Sequence, residues 1–427
     1  MYNFTRQEQK QKSKIHLRID QDQHAILLVN ASRIVHLNPT AALMAYLALN
    51  QMPQERAERV ISSIYRVNRK QAISDYAQFI KQLDELLLPD GACPIHDLGL
   101  ETIHPFSTRP SAPYRMDLAL TYRCNNNCSH CYNARPRSFP ELSTSQCKNI
   151  LDRLWDLGIP HIVFTGGEPT LRADLPELIA HAQQLGQITG VNSNGRRFAD
   201  RKYVLELLNA GLEHVQITLE SHNPSIHDQM VKSEHAWEQT VAGIRNVIDS
   251  SLYVMTNTTL LQQNSPHLMQ TLQFLANLSV PTIGLNALIY AGKGREIDSG
   301  IPEEELHSLL ELARKMTFEN QQRLIWYTPT QYCNFDPVQL ELGVKGCTAA
   351  LYNMCIEPNG DVLPCQSFYQ PVGNLLDDTW ESIWQHPICV GLRERQYIPQ
   401  KCHHCSLLSE CGGGCPLYHQ EIPFTGG

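Results

Sequence analysis

The segment Cys124-Asn-Asn-Asn-Cys128-Ser-His130-Cys131-Tyr132 ends an apolar stretch and carries three cysteines in a C-x3-C-x2-C spacing. Three thiolates can bind three irons of a 4Fe–4S cluster, which normally takes four cysteines, so one iron would stay open to another ligand. A zinc site or buried structural cysteines are the alternatives. Zinc sites usually show two C-x2-C pairs or a cysteine pair with a histidine pair, and only His130 lies nearby. The spacing therefore indicates a cluster with chemistry at its open iron.

A second motif, Thr165-Gly166-Gly167-Glu168-Pro169, ends the next predicted strand. Adjacent glycines let the backbone approach a ligand closely, and the following Glu-Pro pair adds a charge on a stiff turn. Together with the cysteine triad, this motif resembles the radical S-adenosylmethionine (SAM) enzymes. In that family an aromatic residue follows the last cysteine, and a Gly-Gly-Glu-Pro loop contacts the amino group of SAM.

The resemblance implies how the site would work. A 4Fe–4S cluster would be held by Cys124, Cys128 and Cys131, with SAM chelated to the open iron and Tyr132 beside it. An electron from the reduced cluster would cleave SAM to a 5′-deoxyadenosyl radical, which removes a hydrogen from the substrate. The resemblance also implies an electron donor such as flavodoxin or ferredoxin. No catalytic residue beyond the cluster is predicted.

Two later strand ends supply further candidate SAM contacts. Thr218 occupies the position of a family residue that contacts the ribose, and Asn194 lies in the loop after the third strand. For both residues a plain strand-end or turn role is the alternative. In parallel α/β barrels the reactive groups lie on loops after the carboxyl ends of strands, where all these motifs fall.

A second group of cysteines follows in the C-terminal part of the chain. Its spacing resembles the SPASM extension, which binds two auxiliary 4Fe–4S clusters, and a zinc ribbon is the alternative. By the family pattern the first auxiliary cluster would be held by Cys347, Cys355, Cys365 and Cys415. The second would be held by Cys402, Cys405 and Cys411. No cysteine follows Cys415, so His419 would complete the second set, or its site would be open.

Two further residues in or near this region bear on its chemistry. Gln366 stands where sulfatase-maturing enzymes of the SPASM group carry an aspartate base, and an amide cannot take that proton. The chain is therefore not expected to perform that oxidation. Cys333, upstream of the cysteine group, is predicted to be an ordinary buried cysteine, and a position facing the substrate is the alternative.

The N-terminal part reads as a small α+β unit. Three short strand patterns cover 15–20, 24–29 and 33–37, and three amphipathic helices follow. This order, with the passage Ile34-Val-His-Leu-Asn-Pro-Thr-Ala41, resembles the RiPP recognition element (PqqD-like). That domain binds the leader of a ribosomally made precursor peptide as an extra strand beside its third helix. A winged-helix DNA-binding unit is the alternative, but the third helix carries more acidic than basic residues.

Composition narrows the classes of function. With 35 basic and 43 acidic residues, a net charge of −8 leaves no footprint for nucleic acid or an anionic membrane. The N-terminal residues lack the apolar core of a signal peptide, and no apolar run approaches membrane-spanning length. The expected location is cytoplasmic, where fourteen cysteines favour metal binding or catalysis over disulfides.

The predicted fold class is α/β. A small winged-helix-like α+β domain (1–89) and a proline-rich linker (90–115) precede a partial (β/α)6 TIM-like radical SAM barrel (116–330) and a SPASM iron–sulfur domain (331–427). The predicted function is radical modification of a ribosomally synthesised precursor peptide, bound through its leader, to give a crosslink, thioether or related product. A tetrapyrrole or another non-peptide substrate is the alternative. A non-catalytic iron–sulfur or zinc interaction protein is disfavoured because it would not need a SAM-binding loop.

Overall fold

The computed structural model describes residues 1–8, 11–20, 22–30, 33–87 and 110–418. It divides into two compact units, Met1–Ser111 and Ala112–Gly427. Most of the predicted linker at 90–115 lies outside the described residues, and so does His419.

The first unit contains an antiparallel sheet of four strands in the order β1 (Tyr2–Glu8), β2 (Gln11–Ile19), β3 (Ala25–Val29) and β4 (Arg33–Leu37). The predicted three-stranded meander is therefore incomplete, since β1 adds a strand along β2 with Phe4 opposite Ile15. The β1 sequence is mostly polar and lacks the apolar run that marks a buried strand. An antiparallel sheet tolerates such a strand because one of its faces can stay in water.

Three helices pack on this sheet: α1 (Pro39–Leu49), α2 (Gln54–Ile64) and α3 (Arg69–Leu87). Asn38 caps α1, because its side-chain oxygen accepts from the Ala41 amide at 2.9 Å and proline follows at the first helical position. The apolar face of α3 buries Tyr76 and Leu83 in the core of this unit. Arg33 on β4 donates to the Leu86 carbonyl at 2.6 Å, which ties β4 to the end of α3.

The second unit contains the predicted parallel sheet. Its strands follow chain order from one neighbour to the next and pair in parallel throughout. They are β5 (Arg115–Thr121), β6 (His161–Gly166), β7 (Ile188–Ser193), β8 (His214–Thr218), β9 (Tyr253–Thr259), β10 (Thr282–Asn286) and β11 (Arg323–Trp326). Six of them confirm the predicted partial barrel, and β11 is a strand that the sequence analysis missed.

Helices cover this sheet between its strands. They are α4 (Thr144–Asp156), α5 (Leu175–Leu185), α6 (Arg201–Ala210), α7 (Pro224–Val231), α8 (Ala236–Ile248), α9 (Leu268–Asn277) and α10 (Glu303–Glu319). A capping box formed by Ser143 and Gln146 starts α4. Buried leucine, isoleucine and valine side chains of strands and helices form one continuous core.

The cysteine-rich region adds to the same sheet. Strand β12 (Asn353–Ile356) pairs in parallel with β5, and β13 (Val362–Leu363) pairs antiparallel with β12. Three short helices follow: α11 (Trp380–Trp384), α12 (Pro387–Arg393) and α13 (Leu408–Cys411). Within the described ranges, no helix is both long and apolar enough to cross a membrane.

Candidate active site

A cavity of about 350 Å³ opens at the carboxyl ends of the parallel strands. Most of the predicted cofactor-binding residues line it, together with the cysteine triad. The lining includes Cys124, Cys128, Cys131, Tyr132, Gly166, Gly167, Asn194 and Thr218. Parallel strands bring loops that are distant in sequence to one edge of the sheet, which is why these motifs meet.

Two arginines hold the backbone of the cysteine loop. Arg137 donates to the Cys124 carbonyl at 2.8 Å and to the Asn126 carbonyl. Arg196 donates to the Asn125 carbonyl at 2.6 Å and to the side-chain oxygen of Asn126 at 2.8 Å. Guanidinium groups present several donors in a fixed plane, so each can bind two loop acceptors at once. The sequence analysis missed both arginines, although Arg196 directly follows the turn after the third strand.

A buried carboxylate holds the cysteine loop in place. Glu220 is fully buried, and its Oε1 lies 2.9 Å from Nε2 of His130. In the sequence, His130 stands between the last two cysteines of the triad. Its Oε2 accepts from the Thr259 amide at 2.9 Å. A carboxylate accepts hydrogen bonds, so Nε2 of His130 carries the donated proton. The bond to Glu220 therefore fixes the orientation of the His130 ring and, with it, the position of the cysteine loop.

Two thiols of the triad lie in surroundings that oppose their ionisation. Burial raises the pKa of Cys124 to about 11 and raises the pKa of Cys128 well above its usual range, and the neighbouring Cys131 adds to both shifts. The Cys124 and Cys128 thiols are consequently protonated at neutral pH. Iron binding must displace these protons, which couples cluster assembly to pH.

The two glycines are required because the backbone at the end of β5 passes directly against them. A Cβ atom on Gly166 would lie 2.1 Å from the Thr121 carbonyl oxygen, and one on Gly167 would lie 2.4 Å from the Arg123 carbonyl oxygen. The Gly167 amide donates to the Thr121 carbonyl at 2.7 Å. The Gly-Gly turn thus lies directly against the start of the cysteine loop, and any side chain would push the two apart.

Glu168 and Pro169 are buried behind this turn and do not line the cavity. The Glu168 carboxylate accepts from the hydroxyls of Thr170 at 2.6 Å and Ser193 at 2.9 Å, and from the Asn194 amide at 2.8 Å. Burial raises the pKa of Glu168, and these hydrogen bonds oppose that shift. The side chain therefore braces the loop that carries Asn194.

Four adjacent strands each contribute an uncharged amide side chain to the cavity lining. Asn192, Gln216, Asn257 and Asn286 lie on β7, β8, β9 and β10, and the Asn286 amide donates to Asn257 at 3.0 Å. These amides were missed, although a polar residue near the carboxyl end of a buried strand is a usable signal. They provide both donors and acceptors to a polar ligand.

The cysteine-rich region reaches the same cavity through Gln366. The Tyr132 hydroxyl donates to the side-chain oxygen of Gln366 at 3.2 Å, and both residues line the cavity. Burial raises the pKa of Tyr132 far above its usual range, so the phenol stays protonated and serves as a donor. An amide rather than a base thus stands at the position after Cys365.

The C-terminal cysteines form two groups. Burial raises the pKa of Cys365 to about 12 and raises that of Cys415 well above its usual value, and the nearby Cys347 thiol adds to both shifts. Cys355 lies on β12 opposite Asp117, and the nearby Cys365 thiol contributes to the raised pKa of Cys355. The members predicted for the first set are thus brought into one region.

The second group surrounds a separate cavity of about 340 Å³, lined by Cys402, Cys405 and Cys411 and also by Cys333. The prediction that Cys333 is buried is wrong, because its side chain is exposed. Across the described ranges, no three ligand-type side chains come close enough to share a single metal ion.

Arg196→Met tests the loop contacts without removing a cysteine. We expect iron release to a chelator to accelerate roughly tenfold, because the variant loses the charged donors that order the loop. Arg295→Met is the matched control, since Arg295 lies outside the cavity lining and donates to the Tyr290 carbonyl. Release at the wild-type rate from the Arg196 variant would contradict the assigned role.

Comparison with known proteins agrees with this geometry. Residues 118–275 match the radical SAM superfamily, and residues 347–406 match the SPASM iron–sulfur cluster-binding domain. The AdoMet-dependent heme synthase of Oleidesulfovibrio alaskensis is 26% identical over 320 residues, covering 69% of this chain and 80% of that protein. The subtilosin biosynthesis protein AlbA of Bacillus subtilis, named for an antilisterial bacteriocin, is 26% identical over 328 residues, covering 74% of this chain and 70% of that protein.

Among solved structures, Streptococcus suis SuiB bound to its precursor peptide SuiA superposes with a TM-score of 0.69 at 16% identity. The match covers 95% of this chain and 94% of SuiB, and at that identity it concerns the fold. The chain therefore contains a radical SAM domain followed by a SPASM domain, and it is an enzyme whose cofactors are 4Fe–4S clusters and S-adenosylmethionine.

Proposed function

We propose that this enzyme modifies a ribosomally synthesised precursor peptide by radical chemistry and that the N-terminal unit binds the leader of that peptide. The observation that carries the proposal is the edge of β4. Within the described strands β4 pairs with β3 alone, so β4 is an edge strand of the sheet and lies beside α3. An extended peptide can add there as a further strand through main-chain hydrogen bonds.

The extent of the structural match supports this proposal. The first unit spans Met1–Ser111, whereas the part of the chain outside the SuiB match is 5%. Most of the N-terminal unit must therefore lie inside the match. The solved SuiB structure contains a precursor peptide, and AlbA is named for bacteriocin biosynthesis. The heme synthase relative supports a tetrapyrrole as the second candidate substrate, and its match covers a smaller share of this chain.

The cavity of the second unit would hold the reacting cofactors. When bound at Cys124, Cys128 and Cys131, a 4Fe–4S cluster and SAM supply a 5′-deoxyadenosyl radical that abstracts hydrogen from the substrate. Arg137, Arg196 and the His130–Glu220 pair hold the cysteine loop in place. Thr218, Asn194 and the amides of the strand ends provide hydrogen-bonding groups for the polar parts of SAM.

We assign the two C-terminal cysteine groups to two auxiliary 4Fe–4S clusters. With the cluster at the triad, the chain would hold three clusters. Cys347, Cys355, Cys365 and Cys415 would hold one, and Cys402, Cys405 and Cys411 the other. Electrons would come from flavodoxin or ferredoxin. Because Gln366 cannot accept a proton, deprotonation of the substrate radical would need a group of the substrate or another lining residue.

The test takes as precursor the product of any short reading frame that is found beside the gene. A protein beginning at Pro110 should keep its clusters and cleave SAM, because the second unit has its own core. It should lose most modification of the full precursor, since tethering through the leader raises the local concentration of the modified segment. Residues 1–111 alone should bind the leader. Mass spectrometry and a binding titration read the two outcomes.

A matched pair of variants locates the leader within the unit. Ile34 on β4 and Ile19 on β2 are 38% and 39% exposed. Ile34→Asp should weaken leader binding by about tenfold or more, because the carboxylate loses water beneath the added strand. Ile19→Asp should have little effect. Full modification by the truncated enzyme, with no leader binding by residues 1–111, would refute the leader-binding role of the N-terminal unit. No modification of the precursor by the full-length enzyme would place the tetrapyrrole candidate first.

A further inference from the structure

The second cavity contains more cysteines than its sequence motif supplies. Cys402, Cys405 and Cys411 belong to the C-x2-C-x5-C motif, whereas Cys333 comes from the loop that follows β11. All four side chains line the same cavity of about 340 Å³. A thiol group that is brought to three others by the fold, and not by a local motif, calls for a reason beyond packing.

The loop that carries Cys333 is held against the motif by direct contacts. The Tyr332 amide lies 3.4 Å from Cys411 Sγ as a donor, and that thiol in turn donates to the Thr330 carbonyl at 3.6 Å. A Cβ atom on Gly414 would lie 2.8 Å from the Gln331 side chain, so the two segments approach closely. The position of the loop is thus set by residues on both sides of the cavity.

The far side of the loop is anchored as well. Glu303, at the start of α10, accepts from the Gln331 amide at 3.2 Å and from the Asn334 side-chain amide at 2.8 Å. The Tyr332 hydroxyl accepts from the Lys345 amide at 2.9 Å. These bonds flank Cys333 on both sides. The exposed thiol is therefore presented at a defined place rather than on a loose loop.

We infer that Cys333 is the fourth thiolate ligand of the auxiliary 4Fe–4S cluster held by Cys402, Cys405 and Cys411. This inference rests on the proposed assignment of that cluster. On binding, the Cys333 thiol loses its proton and forms an iron–sulfur bond, with no change in the oxidation state of the sulfur.

Full thiolate ligation would define what the cluster can do. No iron would be open to a substrate thiol or another external ligand, so this cluster would transfer electrons without binding substrate. It would also keep a lower reduction potential than a cluster with an imidazole ligand, because histidine in place of cysteine raises the potential of iron–sulfur centres. His419, which lies outside the described residues, is the competing fourth ligand.

The experiment compares Cys333→Ala, His419→Ala and wild-type enzyme, all full-length and reconstituted anaerobically. Iron content, EPR and a redox titration are measured on each. Cys333→Ala should change the EPR signal and midpoint potential of one cluster and speed its iron release to a chelator by about tenfold or more. His419→Ala should match the wild type. Cys147→Ala, at a buried cysteine in α4 outside both cavities, is the control for losing a thiol.

Each alternative gives a different result. Unchanged spectra in Cys333→Ala with changed spectra in His419→Ala would identify histidine as the ligand and overturn the inference. Unchanged spectra in both variants would indicate an open iron and would also overturn it. Cys402→Ala tests the presence of the cluster separately from the identity of its fourth ligand. Wild-type iron content and spectra in that variant would refute the cluster itself.

Discussion

Replacing Cys124, Cys128 and Cys131 together with alanine is expected to abolish the formation of 5′-deoxyadenosine. The three thiols line the main cavity, and SAM would have no iron to bind without them. Iron should fall from about twelve to about eight atoms per chain, since each 4Fe–4S cluster contributes four. The nucleoside is quantified by chromatography after anaerobic reduction, and iron by a colorimetric assay.

The control for this triple variant is again Cys147→Ala, which removes a buried thiol from α4. Its iron content and SAM cleavage should stay near the wild-type values. Continued SAM cleavage by the triple variant would refute the central assignment of the site. A loss of all iron, rather than of about a third, would mean that the auxiliary clusters depend on the first.

Gly167→Ala should lower the rate of SAM cleavage by about 100-fold or more, because the loop must move by an ångström or so to admit a methyl group. The added Cβ would stand 2.4 Å from the Arg123 carbonyl oxygen and 2.6 Å from the Tyr122 carbonyl oxygen, both of which are backbone atoms. These atoms cannot swing aside as a flexible side chain would. The turn and the beginning of the cysteine loop would therefore separate.

Gly343→Ala is the matched control for this glycine. A Cβ atom at Gly343 meets nothing within 4 Å, although its φ of +75° imposes some backbone strain. Its SAM cleavage should stay within about twofold of the wild type, since that strain is local. Both variants are compared by initial rate and by SAM affinity in a binding titration. Equal rates in the two alanine variants would contradict the steric argument.

The sequence predicted those parts of the molecule that carry a local pattern. The cysteine triad, the Gly-Gly turn and six strands were recognisable because spacing and apolar runs are short-range signals. Strands β12 and β13 were missed because they are short and because the pairing of β12 with β5 joins segments far apart in the chain. Pairing at that distance leaves no periodic trace.

The same reasoning explains the missed side chains. Arg137 and Arg196 are single charged residues, and only the folded loop shows that they bind its carbonyl oxygens. Glu168 was recognisable as part of a motif, yet its contacts with Ser193 and the Asn194 amide depend on the end of β7 and the loop after it. Cys333 has no neighbouring cysteine, so its place beside the C-terminal motif could be read only from the structure.

The pairing of β12 with β5 has a consequence for the synthesis of the chain. Strand β5 leaves the ribosome long before β12, so one of its edges stays without its partner during most of translation. An open strand edge is a template for intermolecular pairing, and nascent chains with such edges depend on chaperones. The cysteine loop at the end of β5 thus emerges on an unfinished sheet. The barrel completes its sheet only after the cysteine-rich region has been translated. The two regions are therefore expected to complete their folding together.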